Sequence, residues 1–340
     1  MGWGSELMWA RENLQAASVK KAGAWPSRKP IRALGIYTRR QPVRMVRMRV
    51  TLLLGLAAAP ALAAQAPPAL RTTLVVTAPA LAAQLGDSNL VLVHVDRDPQ
   101  AYADAHLPGA RFLPLRAIVT ERGGIPNELP PVAQLDSVLE SAGMSNHSRI
   151  VIYGDPLAAA RLFFTLDYLG LGDRASLLDG GLPGWKAAGL QVTHELPAPP
   201  VPGRIEPMVQ ARRLIDAAEL SRRLHDPALA LVDARLPAEW SGATPGDGVL
   251  RPGRIPGARS FFWRLALTPG EPAYLKDVAI LRKLLGRAGV APGREVITYC
   301  RTGVQASLLY FVARYLGYQP RMYDGSFIEW SEMAELPVER

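Results

Sequence analysis

Short apolar runs rich in Val, Ile and Leu alternate along this chain with longer stretches whose apolar positions recur every three to four residues. Residues 90–93, 150–153, 229–232 and 296–299 are runs of the first kind and predict buried strands. Residues 131–142, 158–169, 278–288 and 305–316 are of the second kind and predict amphipathic helices. Such alternation predicts an α/β fold with a doubly wound parallel sheet and helices on both faces. The adjacent aromatics Phe163–Phe164 and Tyr310–Phe311 fall inside two of the helices and are expected to face core rather than ligand.

The pattern occurs twice. Arg97-Asp98-Pro99, Tyr102 and His106-Leu107-Pro108-Gly109-Ala110 follow the first strand. Arg235-Leu236-Pro237, Trp240 and Arg254-Ile255-Pro256-Gly257-Ala258 follow its counterpart. Asp167-Tyr168-Leu169-Gly170 matches Arg314-Tyr315-Leu316-Gly317, and Asp179-Gly180-Gly181 with Trp185 matches Asp324-Gly325-Ser326 with Trp330. The unit of roughly 130 residues is too long for a solenoid repeat, so two tandem domains are expected. The Pro-rich stretch 195–206 reads as a stiff linker between domains at 72–194 and 207–340.

The formal net charge of +9 suggests a nucleic-acid or membrane partner. Its distribution removes that idea. Residues 1–63 hold 11 of the 39 Lys and Arg but 2 of the 30 Asp and Glu, leaving 28 of each sign in 64–340. No nucleic-acid partner is therefore expected. Arg44, Arg47 and Arg49, the apolar run 51–59 and Ala61-Leu62-Ala63 form the charge, core and cleavage pattern of a signal peptide, placed at 45–63. The run is shorter than the roughly 20 residues of a spanning helix, so no stable membrane insertion is expected after cleavage. Residues 1–44 read as an upstream extension that the working protein lacks. The expected location is the periplasm.

Export implies an oxidising compartment, where structural cysteines come in pairs. Cys300 is the only cysteine of the 340 residues, so it has no internal partner and is expected to be exposed, for chemistry or for pairing with another molecule. It sits between a predicted strand and a predicted helix, on the loop Arg301-Thr302-Gly303-Val304-Gln305. Backbone N–H groups converge there, which favours a thiolate and is expected to lower the thiol pKa. The open α/β rule places ligands at these strand ends.

These motifs together resemble tandem-domain rhodaneses, the thiosulfate and 3-mercaptopyruvate sulfurtransferases. Tyr102 with His106–Ala110 is similar to the family's N-terminal motif, Tyr323–Trp330 to its C-terminal one, and Cys300–Gln305 to its active-site loop. The resemblance covers about residues 75–340. It implies two rhodanese-like domains with only the second catalytic, since Gly154 falls where the first would need its cysteine. It further implies a cofactor-free sulfurtransferase that moves a sulfane sulfur from thiosulfate to a thiophilic acceptor through a Cys300 persulfide. Partners would be a small anionic donor and a thiol or cyanide acceptor, with sulfite or a thioredoxin-like protein as further acceptors. Arg301, Thr302, Gly303, Val304 and Gln305 would bind substrate, with Glu239 at a position where many relatives carry a binding arginine. The chain departs from the family at Glu239, at Arg254 (often His) and at Thr302 (Lys in some thiosulfate-type members). Arg301 beside the cysteine is similar to the thiosulfate type; the mercaptopyruvate type usually has Gly there.

A cysteine-dependent phosphatase needs an arginine six residues after its cysteine, and Ala306 stands there. No motif supplies a protease histidine. His94, His106, His147, His194 and His225 are scattered without metal-ligand spacing, so no metal is expected, and His106 is expected to tie down its own turn. A 3-mercaptopyruvate sulfurtransferase and a non-enzymatic sulfur carrier or thiol-dependent interaction module remain the alternatives.

Overall fold

The computed structural model describes residues 66–340; the expected leader and upstream extension, 1–63, lie outside the described residues. The first half runs β1 (Val75–Val76), α1 (Ala78–Ala82), β2 (Leu90–Asp96), α2 (Pro99–Asp104), β3 (Arg111–Pro114), β4 (Thr120–Arg122), β5 (Ile125–Glu128), α3 (Val132–Ser141), β6 (Arg149–Gly154), α4 (Pro156–Tyr168), β7 (Ala175–Leu178) and α5 (Gly181–Ala187). The second half runs α6 (Ala217–Arg222), β8 (Leu229–Asp233), α7 (Pro237–Trp240), β9 (Arg259–Ser260), α8 (Val278–Arg287), β10 (Glu295–Tyr299), α9 (Val304–Tyr315), β11 (Arg321–Met322) and α10 (Ser326–Glu332).

Two parallel sheets result, in the orders β1-β7-β6-β2-β3 and β11-β10-β8-β9, while β4 and β5 form a separate antiparallel hairpin. A parallel bridge from Leu214 to Met322 stands where β1 pairs with β7 in the first sheet. The strands are apolar on both sides because both faces are covered. In β2, Val91, Val93 and Val95 enter one core and Leu92 another; in β8, Ala230 and Val232 enter one and Leu229 and Leu231 another.

One core is shared by both halves, and α4 and α9 meet at its centre. Asp155 accepts from the N–H groups of Leu157 and Ala158 and, with Pro156 following, starts α4. Phe163 packs edge-on to Phe311 (centroids 4.8 Å apart) and Phe164 edge-on to Tyr310 (4.9 Å). In the repeat, Phe163 corresponds to Tyr310 and Phe164 to Phe311. Each position thus meets the other's counterpart, the exchange a two-fold interface produces, here within one chain. The expected core role of these aromatics is what the structure shows; all four are fully buried.

The 195–206 stretch lacks helix and strand but is not free of the body. Gly203 donates to the Glu140 carbonyl, and Ile205 N–H donates to the Glu140 side chain. A Cβ at Gly203 would come within 1.8 Å of the Met144 carbonyl oxygen, so only Gly allows this approach. His106 stacks on Tyr102 and lies within hydrogen-bond distance of the Tyr102 carbonyl, as expected, and also of the Glu195 carbonyl (3.0 Å).

Candidate active site

Cys300 leaves β10 at its C-terminal end, and α9 begins four residues later. Gly303 takes φ +85 to turn the loop into the helix. A Cβ there would lie 2.7 Å from Asp324 Oδ1, so the glycine is required by both conformation and space. Ser326, itself at φ +57, accepts from Cys300 N–H through its hydroxyl (3.3 Å) and donates to the Tyr323 carbonyl. Phe327 and Ile328 N–H donate to the Cys300 and Arg301 carbonyls. The first two residues of the loop are therefore fastened to the turn that opens α10.

Cys300 is only 1% exposed, contrary to the accessible position expected from its isolation. Its thiol differs from expectation too. Burial pushes it above the ordinary value, Asp233 adds to the rise, and the N–H groups of Ala306, Thr302 and Gln305 oppose it without cancelling it. The anion cradle inferred from the strand–loop–helix order is present. Desolvation outweighs it because the thiolate would lose nearly all its water.

Arg301, expected to bind substrate, lies beside two carboxylates. Its Nη1 lies 3.7 Å from Glu239 Oε1 and 3.4 Å from Asp247 Oδ2. Glu239 is buried on α7, where Leu236 N–H donates to its other oxygen. Asp247 is fully exposed on the loop between α7 and β9. Glu239 and Arg301 are thus brought together as a pair. Thr302 accepts through its hydroxyl from Asn127 Nδ2 (3.1 Å) of the first half. Val304 is buried, and Gln305 Oε1 is buried without a partner. Arg254 stacks on Trp240 and pairs with Glu339, which fixes the turn rather than the site.

Three features escaped the sequence reading. Arg235 forks onto Asp233 (Nη2 to Oδ2 2.6 Å) and lies 4.0 Å over the Phe327 ring, beneath the loop. Ser326 carries a side chain in a conformation where its repeat counterpart is Gly181, and that exchange was the visible signal. Asn127, Leu129 and Arg161 reach the second half from the first, through Thr302 and Asp324. The first half has no cysteine, yet it takes part in holding the Cys300 loop.

Residues 77–188 and 216–333 each match the Rhodanese-like domain. The chain belongs to the rhodanese family. A thiosulfate sulfurtransferase of Pseudomonas aeruginosa is 34% identical over 266 residues, covering 76% of this chain and 94% of that protein. A probable 3-mercaptopyruvate sulfurtransferase of the same organism is 37% identical over 287 residues, covering 77% and 96%. The anaerobic ergothioneine biosynthesis enzyme of Chlorobium limicola, solved with trimethyl histidine, shares the fold (TM-score 0.69, 22% identity, 79% of this chain and 70% of that one). As a tandem rhodanese, the chain is a member of a sulfurtransferase family.

Proposed function

We propose that this protein takes a sulfane sulfur from thiosulfate onto Cys300 and passes it to a thiol or cyanide. The observation that carries this reading is the convergence of the Thr302, Gln305 and Ala306 N–H groups on the Cys300 sulfur at a strand end. The Cys300 thiolate attacks the outer sulfur of thiosulfate. The donor's S–S bond breaks, and sulfite leaves with the electron pair. The enzyme then holds a persulfide, whose charge the same N–H groups stabilise. An acceptor thiolate attacks its outer sulfur, and Cys300 departs as the thiolate, completing a double displacement. Arg301 supplies the cation beside the nucleophile.

A second donor, 3-mercaptopyruvate, is favoured by one specific observation. Arg301 shares its charge with Glu239 and Asp247, which suits a singly charged donor better than a dianion. Steady-state turnover with cyanide as acceptor, run with each donor in turn, decides between them. We expect measurable thiosulfate turnover with a high KM that rises with ionic strength. A kcat/KM for 3-mercaptopyruvate more than tenfold higher would reverse the donor. A single loading without repeated turnover from either donor would make the protein a sulfur carrier.

A further inference from the structure

We propose that Arg161 and Asn127, in the half without a cysteine, are positioning residues that hold the Cys300 loop in its anion-binding shape. The inference rests on Cys300 being the nucleophile. Arg161 is fully buried on α4. Its guanidinium grips Asp324 with both ends, Nη1 to Oδ1 at 2.5 Å and Nη2 to Oδ2 at 3.1 Å, and donates to the Asn127 carbonyl at 2.7 Å. Asp324 in turn closes over Gly303; a Cβ there would meet Asp324 Oδ1 at 2.7 Å and Arg161 Nη1 at 3.1 Å. Asn127 braces the next residue of the loop through Thr302 Oγ1. Two struts from the first half thus converge on adjacent residues of the catalytic loop.

The repeat separates this role from ordinary domain glue. Leu129 N–H donates to Asp324 Oδ2 at 2.8 Å, and Leu275 N–H donates to Asp179 Oδ1 at 2.8 Å. These bonds are mirror images, and glue of that kind is kept on both sides. The counterparts of Arg161 and Asn127 are Leu308 and Ala273, so the struts exist only on the side that carries the cysteine. Backbone strain points to the same place. The non-glycine residues with positive φ among the described residues are Asn127 and Ser326, and both bond to this loop. Such strain persists only where its surroundings over-determine it, and it gathers at functional sites. The consequence is positional, because the N–H groups of Thr302, Gln305 and Ala306 face the sulfur only while the loop holds this course. Shifts of about 1 Å in such a site can cost up to roughly a hundredfold in rate.

The test uses Asn127→Ala and a double variant, Arg161→Leu with Asp324→Asn. The double variant strands no buried charge and keeps an oxygen for Leu129 N–H. Asp179→Asn, the mirror position, is the control. The readouts are the pH dependence of Cys300 alkylation by iodoacetamide, kcat and KM for thiosulfate, and the melting temperature. The double variant should move the alkylation profile to higher pH and lower kcat about tenfold with KM little changed. Asn127→Ala should move both the same way by less, and Asp179→Asn should lower only the melting temperature. Wild-type alkylation profiles and kcat in both site variants would overturn the proposal, whatever happens to melting. So would an alkylation shift in Asp179→Asn equal to that of the double variant. Alkylation is read on the thiol itself, so it reports on the struts even if Cys300→Ser retains turnover and the nucleophile reading fails.

Discussion

Asp167 and Arg314 stand at the same position of the two repeats and bind each other across the centre of the molecule, with Arg314 Nε 3.0 Å from Asp167 Oδ2. A position on a two-fold axis meets its own copy, and identical ionised residues there would repel. Joining the copies in one chain lets them differ, and opposite charges resolve the conflict. Arg213 and the Tyr310 hydroxyl complete the cluster on Asp167.

Asp167→Ala should therefore be among the more damaging changes outside the site. It leaves Arg213 and Arg314 buried without their shared partner, a situation that costs about 3–5 kcal/mol. Guanidinium unfolding monitored by circular dichroism measures it. A loss below about 1 kcal/mol would show that water or the neighbouring Asp173 and Gln319 rescue the arginines.

The pH dependence has a definite sign. The reactive form is the thiolate, and burial holds the Cys300 thiol above its ordinary value, so the reactive fraction is small at neutral pH. Iodoacetamide alkylation of the resting enzyme should still be climbing as pH passes the ordinary thiol value. A plateau reached below neutral pH would mean that the N–H cradle, not desolvation, controls this thiol.

Arg301 and Glu239 should act on thiosulfate in opposite directions. Arg301→Ala removes a charge-assisted contact of about 1.5–3 kcal/mol, a loss of roughly ten- to hundredfold in kcat/KM. Glu239→Gln keeps a side-chain oxygen for Leu236 N–H and releases Arg301 from one carboxylate. Because Arg301 is partly solvated, the gain should be modest, about 0.2–1 kcal/mol or up to roughly fivefold, and largest at low salt. A fall in kcat/KM for Glu239→Gln would show that Glu239 contacts the donor itself.

Much of this architecture was legible because it rests on local pattern. The strands at 90–93, 150–153, 229–232 and 296–299 and the four long helices lie within a few residues of where the apolar pattern put them, since strands buried on both sheet faces read as near-continuous apolar runs. The loop after Cys300 was legible from its place between an apolar strand run and a helical pattern; the positive φ of Gly303 and the lack of space for a Cβ there are what the structure adds. What could not be read was the state of the side chains. The pairing of Arg301 depends on Asp247, 54 residues earlier, and the thiol's basicity on how completely the neighbours exclude water. The struts from Asn127 and Arg161 join residues 175 and 163 positions apart. Their only trace in the sequence is that Leu308 and Ala273 break the repeat at those two positions.

The central claim is that Cys300 stores the transferred sulfur. Intact-protein and peptide mass spectrometry after brief exposure to thiosulfate tests it most directly, with Cys300→Ser as comparison. The wild-type protein should gain one sulfur atom on the Cys300 peptide, lose it on adding cyanide with stoichiometric thiocyanate, and turn over again. Cys300→Ser should gain nothing, since a hydroxyl is barely ionised near neutral pH and holds no sulfane sulfur. Thiocyanate formed by Cys300→Ser at even a tenth of the wild-type rate, or sulfur carried on any other residue, would contradict the account.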